Sequence, residues 1–157
     1  MERISYQDIP KGMFEKLRAI EDFIESSTLE SQLIELIRLR ISQLNGCAYC
    51  VDMHHKELRQ AGETELRLYS LVVWEETPYF TEKERAVLYY AEALTQLNSK
   101  PLADEVYDPL LTYFDKTEIT FLSLLICQIN TWNRLMKAFH FTPGNYQVKK
   151  VSINNPA

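Results

Sequence analysis

Cys47 and Cys50, with His54 four residues further on, are where this sequence could do chemistry. A Cys-x-x-Cys spacing in a chain with only three cysteines is no disulfide framework and points to redox chemistry or to a metal. If Cys47 opens a helix, Cys50 falls at i+3 and His54 at i+7, so the three side chains share one face. Unpaired amides and the positive end of the helix dipole favour an anion in that first turn, which lowers a thiol pKa there. His54, one turn beyond Cys50, can take a proton from its thiol or relay one through water. A thiolate beside a second thiol is what attack on a peroxide or a disulfide requires, since the second thiol resolves the product as an intramolecular disulfide. The same three residues could instead be zinc ligands, with Glu35 or His55 as the fourth. A structural zinc site usually draws its ligands from separate segments, whereas these share one short helix.

Glu35 is the other residue whose type does not suit its place. It stands between Ile34 and Leu36 on a segment apolar nearly all round, where an ionised carboxylate is costly without a partner. A helix reversing at Asn45-Gly46 would bring it back beside the Cys47 helix. There Glu35 would orient His54 or share its proton, and burial would raise its pKa toward the working range. The plainer reading is an ion pair with Arg38 or Arg40, and spacing alone leaves both open. Cys127, at the end of Phe-Leu-Ser-Leu-Leu-Ile-Cys, reads as a small buried hydrophobe. His55 points away from the His54 face toward solvent, and His140 reads as a surface or capping histidine. Aromatic residues at helical spacing, among them Tyr69, Trp74, Tyr90 and Trp132, read as core or interface, with some available to wall the thiol pocket.

Helical periodicity supplies the frame for these residues. Met13, Leu17, Ile20 and Ile24 mark a first amphipathic helix after Pro10. A second helix spans about Leu29 to Leu44, and its all-round apolar character makes it buried. A third runs from Cys47 to Ala61 and is closed by Gly62. Thr64 caps a short fourth helix through Leu71 to Trp74, and Thr81 with Glu84 forms a capping box for a fifth. Helices over about Asp104 to Phe114 and Thr117 to Phe141 complete an all-α reading of about seven helices. The expected organisation is one domain over residues 1–146 and a polar tail over 147–157.

Composition narrows the function classes. The 157 residues, 46% apolar and 25% charged, suit a single globular domain. Seventeen basic against 22 acidic residues, a net charge of −5, leave no basic footprint for nucleic acid. No apolar run approaches the roughly 20 residues that span a bilayer. The start, Met-Glu-Arg-Ile-Ser-Tyr-Gln-Asp, has no apolar signal core, so a cytoplasmic location is expected. So much apolar helix surface on so short a chain also points to a homo-oligomer.

The run Glu35-Leu-Ile-Arg-Leu-Arg-Ile-Ser-Gln-Leu-Asn-Gly-Cys47-Ala-Tyr-Cys50-Val-Asp-Met-His54 resembles the core motif of the carboxymuconolactone decarboxylase superfamily, and more closely its AhpD-like alkylhydroperoxidase branch. Trp74-Glu-Glu-Thr-Pro, Thr81-Glu-Lys-Glu-Arg-Ala, Tyr90-Ala-Glu-Ala-Leu-Thr and Asn130-Thr-Trp-Asn-Arg-Leu extend the likeness to residues 10–142. The resemblance implies an all-helical fold with the glutamate helix packed on the Cys-x-x-Cys helix. It implies Cys50 as the peroxidatic cysteine, Cys47 as the resolving one, and Glu35 and His54 as the proton relay. It further implies a thiol peroxidase with no metal or organic cofactor, assembled as a trimer or hexamer and reduced by a thiol or a lipoylated partner protein. Tyr49 stands where the best-known relative has a histidine, and tyrosine is a poor base at neutral pH. Decarboxylases of the superfamily do not use the cysteine pair that this chain retains.

Overall fold

In a computed structural model, which describes residues 2–148 of the chain, seven α-helices and three short 3-10 segments form the fold. The helices are α1 (Met13–Glu25), α2 (Ser31–Leu44), α3 (Ala48–Gln60), α4 (Glu65–Ser70), α5 (Glu82–Thr95), α6 (Asp104–Tyr107) and α7 (Lys116–Phe139). Among the described residues there is no strand. Residues 149–157, most of the expected polar tail, lie outside the described residues.

Helix α2 is the axis of the molecule, and its two faces explain its all-round apolar sequence. Ile34, Ile37 and Ile41 enter the main core with Ile24, Val87, Ala91, Leu110, Leu122, Leu125 and Ile126. Leu36 and Leu39 point the other way, into a second core with Leu58, Leu68, Leu71, Trp74, Phe80 and Leu88. Along the turns of α2 that are buried on both sides, a charged residue is costly unless it is paired.

Most helix ends follow from local chemistry. The Thr81–Glu84 capping box opens α5 as expected, and Thr64 caps α4 through the Arg67 amide. A second capping box, Asp115 with Glu118, starts α7 one residue earlier than periodicity indicates. Helix α4 is shorter than expected because the backbone departs from helical geometry at Val73, and Leu71–Glu76 continues as a 3-10 segment. The segment expected as one helix over Asp104 to Phe114 is likewise split. Helix α6 lasts one turn and yields to a 3-10 segment over Asp108–Thr112, where Pro109 has no amide to donate.

The α2–α3 reversal is the joint that matters for chemistry. Gly46 takes φ +60°, a left-handed conformation that costs a side-chain-bearing residue energy. Lys137 from α7 donates to the Asn45 carbonyl at 2.6 Å, tying the long helix to this turn. Around the joint a third cluster gathers Phe14, Cys47, Cys50, Met136 and Phe141.

Candidate active site

Cys47 does not open α3, as the spacing suggests; it is the N-cap, with extended dihedrals of φ −89° and ψ 93°. Its Sγ accepts the Cys50 backbone N–H at 3.4 Å, the place a serine or threonine oxygen takes in an ordinary cap. The two cysteines are therefore N-cap and N3, one sulfur turned onto the amide of the other residue. Both are almost fully buried, at 1% and 3% exposure.

This geometry decides which thiol carries charge. The bond from the Cys50 thiol is the largest influence on Cys47. With the Cys50 and Tyr49 amides and nearby Lys137, it outweighs burial and brings Cys47 down to about 7. Cys50 moves the opposite way, pushed up by its bond to Cys47, by burial and by the Cys47 charge. The lowering expected for the helix terminus thus appears on the capping sulfur, and the pair shares one negative charge.

Access runs the other way. A cavity of about 930 Å³ opens between α1, α2, α3 and α7, and its wall includes Cys50, His54 and Glu35 but not Cys47. Phe14, Tyr49, Met53, Trp132 and Met136 give it a largely apolar lining, so some aromatics do wall the thiol pocket. Tyr49 packs on Phe141 and its hydroxyl is pushed above its ordinary range, chiefly by burial, which removes it as a base.

Helix α2 delivers Glu35 to His54 across the reversal: Oε2 lies 2.8 Å from Nδ1. The other oxygen, Oε1, accepts from Arg38 Nη1 at 2.6 Å. Both readings left open by the sequence are therefore realised at once, one by each oxygen. Arg40 is engaged elsewhere, on Glu92. The expected rise of the Glu35 pKa is overturned. Burial does push it up, but the charges and hydrogen bonds of His54 and Arg38 outweigh burial and hold it down to about 2. A carboxylate can only accept, so His54 Nδ1 must carry the hydrogen, which leaves Nε2 as the basic nitrogen of the neutral ring. Glu35 holds and orients the imidazole and does not itself trade protons near neutral pH.

Sequence reasoning named Arg38 as a partner for Glu35 but missed what holds Arg38. Arg38 is buried at 6% exposure and also pairs with Glu21 and with Glu25, the latter at 3.3 Å. Trp132 Nε1 donates to Glu21 at 2.6 Å, so the chain from indole to imidazole crosses α7, α1, α2 and α3. The segment after α7 also returns over α3: Lys56 Nζ donates to the carbonyls of Gly144 and Tyr146, and the Tyr146 hydroxyl bonds Glu57. These partners are about 90–110 residues apart, beyond any local pattern. A buried arginine on an apolar helix was the available signal.

The remaining expectations divide. His140 ends α7 in a left-handed conformation (φ 62°), as a capping residue. His55 is partly exposed, 3.9 Å from Glu65. Cys127 is exposed and not buried, because α7 turns that face outward while Ile126 and Ile129 fill the core. Among the described residues no three or more His, Cys, Asp or Glu side chains gather closely enough to hold a metal ion.

Residues 12–93, which contain all four candidate residues, match the carboxymuconolactone decarboxylase family. The chain is 39% identical over 135 residues to the uncharacterised protein YdfG of Bacillus subtilis, covering 85% of this chain and 91% of YdfG. A solved protein of unknown function from Agrobacterium tumefaciens, for which an antioxidant-defence role as AhpD has been suggested, is 38% identical. It superposes with a TM-score of 0.88 over 93% of this chain and all of that one. A peroxidase-related protein from Ralstonia eutropha JMP134 with an AhpD core shares the fold, with a TM-score of 0.74 at 20% identity over 84% of this chain and 70% of its own.

Proposed function

The chain belongs to the carboxymuconolactone decarboxylase family, in its AhpD-like branch, and on that premise we propose that it is a thiol-dependent peroxidase acting on alkyl hydroperoxides or hydrogen peroxide. The observation that carries this reading is the convergence of Cys50, His54 and Glu35 on one apolar-lined cavity, with Cys47 directly behind Cys50.

Cys50 gives up its proton to Cys47 or to His54 Nε2, and its thiolate attacks the outer oxygen of ROOH. The S–O bond forms as the O–O bond breaks. The proton that Cys50 gave up passes on to the leaving alkoxide, which becomes ROH, and the product is Cys50 sulfenic acid. The Cys47 thiolate then attacks the Cys50 sulfur, and hydroxide leaves and is protonated to water. The Cys47–Cys50 disulfide holds the two oxidising equivalents until an external thiol, or a dithiol such as that of a lipoylated protein, reduces it. Glu35 keeps His54 in the tautomer that can accept a proton at Nε2, and Arg38 keeps Glu35 ionised. Such a cycle suits a reducing compartment such as the cytoplasm. Among the described residues no helix is long and apolar enough to cross a membrane.

One observation favours a second reading, a disulfide reductase or redox sensor using the same pair. A thiol brought to about 7, as Cys47 is, has the acidity best suited to thiol–disulfide exchange. The burial of Cys47 and its absence from the cavity wall weigh against it as the attacking sulfur. Consumption of cumene hydroperoxide with dihydrolipoamide as reductant, beside reduction of a small-molecule disulfide, separates the two. The peroxidase reading expects the first reaction to be fast and to vanish in Cys50→Ser.

A further inference from the structure

We propose that the cavity selects what reaches Cys50 by charge. Carboxylates on its wall, Glu21 and Glu57 above all, admit neutral hydroperoxides and neutral thiol reductants and turn anionic ones away. This rests on the reading of Cys50 as the attacking sulfur, and it places the specificity in residues outside the set of Cys47, Cys50, His54 and Glu35.

Helix α1 turns one stripe toward the cavity: Phe14, Arg18, Glu21 and Glu25 follow one another at helical spacing and all line it. Glu57 faces it from α3, one turn beyond His54, and α2 adds Glu35 and Arg38. The charged side chains of the wall are thus four carboxylates and two guanidiniums. Arg18 and Glu25, of opposite sign, are both exposed, and water screens them both. Arg18 stands over the Phe14 ring, 6.0 Å from its centroid. Further in lie Glu21, Glu35 and Glu57, all partly buried, with Arg38 as their one counter-charge. Arg38 is already divided, pairing with Glu21, with Glu35 at 2.6 Å and with Glu25 at 3.3 Å. Glu57 has only a neutral phenol as partner, since the Tyr146 hydroxyl donates to it. With His54 neutral, the inner wall carries two negative charges in excess.

That excess acts on both halves of the cycle. Cys47 is absent from the cavity wall, so peroxide and reductant meet the pair at the same sulfur through the same opening. An anion on that path approaches the excess charge and a thiolate beside Phe14, Met53, Trp132 and Met136. Next to such an apolar lining, Coulomb repulsion is several times stronger than in water. A neutral molecule meets no such opposition and keeps the apolar contacts. The cavity, about 930 Å³, is far larger than hydrogen peroxide needs and suits an organic hydroperoxide. A carboxylate on that hydroperoxide, or on a dithiol, brings the same apolar surface with a charge that the wall opposes.

The test first reads Cys50 without any peroxide. In reduced Cys47→Ser protein, Cys50 is alkylated by neutral iodoacetamide or by anionic iodoacetate, and the two rates are read by peptide mass spectrometry. Their ratio cancels the acidity of the thiol, and the same ratio in the urea-unfolded chain gives the intrinsic preference of the reagents. Folding is expected to raise the preference for iodoacetamide about tenfold at low ionic strength, and roughly 0.5 M salt is expected to shrink that excess. Glu57→Gln should cut the excess about threefold, and Glu25→Gln, at an exposed position, should cut it less. Equal ratios in the folded and unfolded chains overturn the proposal. So does a preference for iodoacetate, which capture of its carboxylate by Arg18 would give, or an excess indifferent to both salt and Glu57→Gln. Cumene hydroperoxide and its para-carboxylate are then compared as oxidants of the parent protein, and the neutral one is expected to react faster. Equal consumption of the two would sink the charge selection and leave the peroxidase reading. An alkylation excess in a protein that leaves both peroxides untouched would sink the peroxidase reading and leave the charge selection.

Discussion

Glu35 and His54 meet at 2.8 Å across the Asn45-Gly46 reversal, with the carboxylate held down to about 2 by the imidazole and by Arg38. The carboxylate is a fixed anion and the imidazole is the group left to move a proton. The consequences of that division can be measured.

Glu35→Gln keeps the shape of the side chain but can offer Nδ1 an amide nitrogen as readily as an oxygen, so the tautomer of His54 is no longer set. Peroxide reduction should fall by roughly 10²–10⁴-fold, the usual contribution of a positioned acid–base group. An unchanged steady-state rate would return Glu35 to a purely structural pairing with Arg38.

The same carboxylate should be visible in acid stability. In the unfolded chain it takes up its proton near 4.5, and in the folded protein only near about 2. The unfolded state therefore binds more protons between those values. The stabilisation is fully present above about pH 4.5 and is lost as pH falls toward 2. Denaturation followed from pH 6 to pH 2 should show this loss in the parent protein and a flatter course in Glu35→Gln. Parallel curves would contradict the assignment.

Much of this site was legible in the residue types, because thiols, an imidazole and a carboxylate on an apolar helix are each costly without a use. Helix boundaries were less so: spacing left open which thiol the helix terminus favours, and the one-residue difference at Cys47, cap instead of first helical residue, turns its sulfur onto the Cys50 amide. The direction of the Glu35 shift was illegible because Arg38 counts only once Glu21 and Trp132 hold it in place, and those contacts join α1, α2 and α7. Cys127 was misjudged because a long helix between two environments has apolar neighbours in sequence on its exposed face too.

The capping position of Cys47 predicts a pH dependence. Its thiol ionises at about 7, and the shared charge is available to the pair only above that point. The peroxide-reaction rate, measured by stopped flow under single turnover, should rise from pH 6 to pH 8 with an apparent midpoint near 7. A profile flat through that range would mean that neither sulfur titrates where the cap places it.

Exposed apolar residues bear on assembly. Leu66, Tyr69, Val72 and Val73 cluster in sequence at 52–70% exposure along α4 and its 3-10 continuation, and Phe23 packs on Phe121 at a second surface with 57% exposure. Covering such surface is what a closed homo-oligomer does. Light scattering should find a trimer or hexamer at micromolar concentration, and Val72→Glu with Val73→Glu should weaken it. A parent protein that scatters as a monomer would contradict this.

The division of labour between the sulfurs separates access from acidity. Cys50→Ser should abolish peroxide reduction, because the sulfur on the cavity wall is gone. Cys47→Ser should form one sulfenic acid, trapped by dimedone at Cys50, and then stall for want of a resolving thiol. Label on Cys47 in Cys50→Ser, with none on Cys50 in the other variant, would reverse the assignment.

The central claim is that Cys47 and Cys50 form a peroxide-driven redox pair, and intact-mass and peptide analysis around a single addition tests it most directly. The reduced protein is given one equivalent of cumene hydroperoxide, with zinc quantified on the same sample. The account predicts negligible zinc, loss of two hydrogens, a Cys47–Cys50 disulfide and a Cys127 that remains reduced. Stoichiometric zinc, with both thiols intact and the peroxide unconsumed, would contradict it.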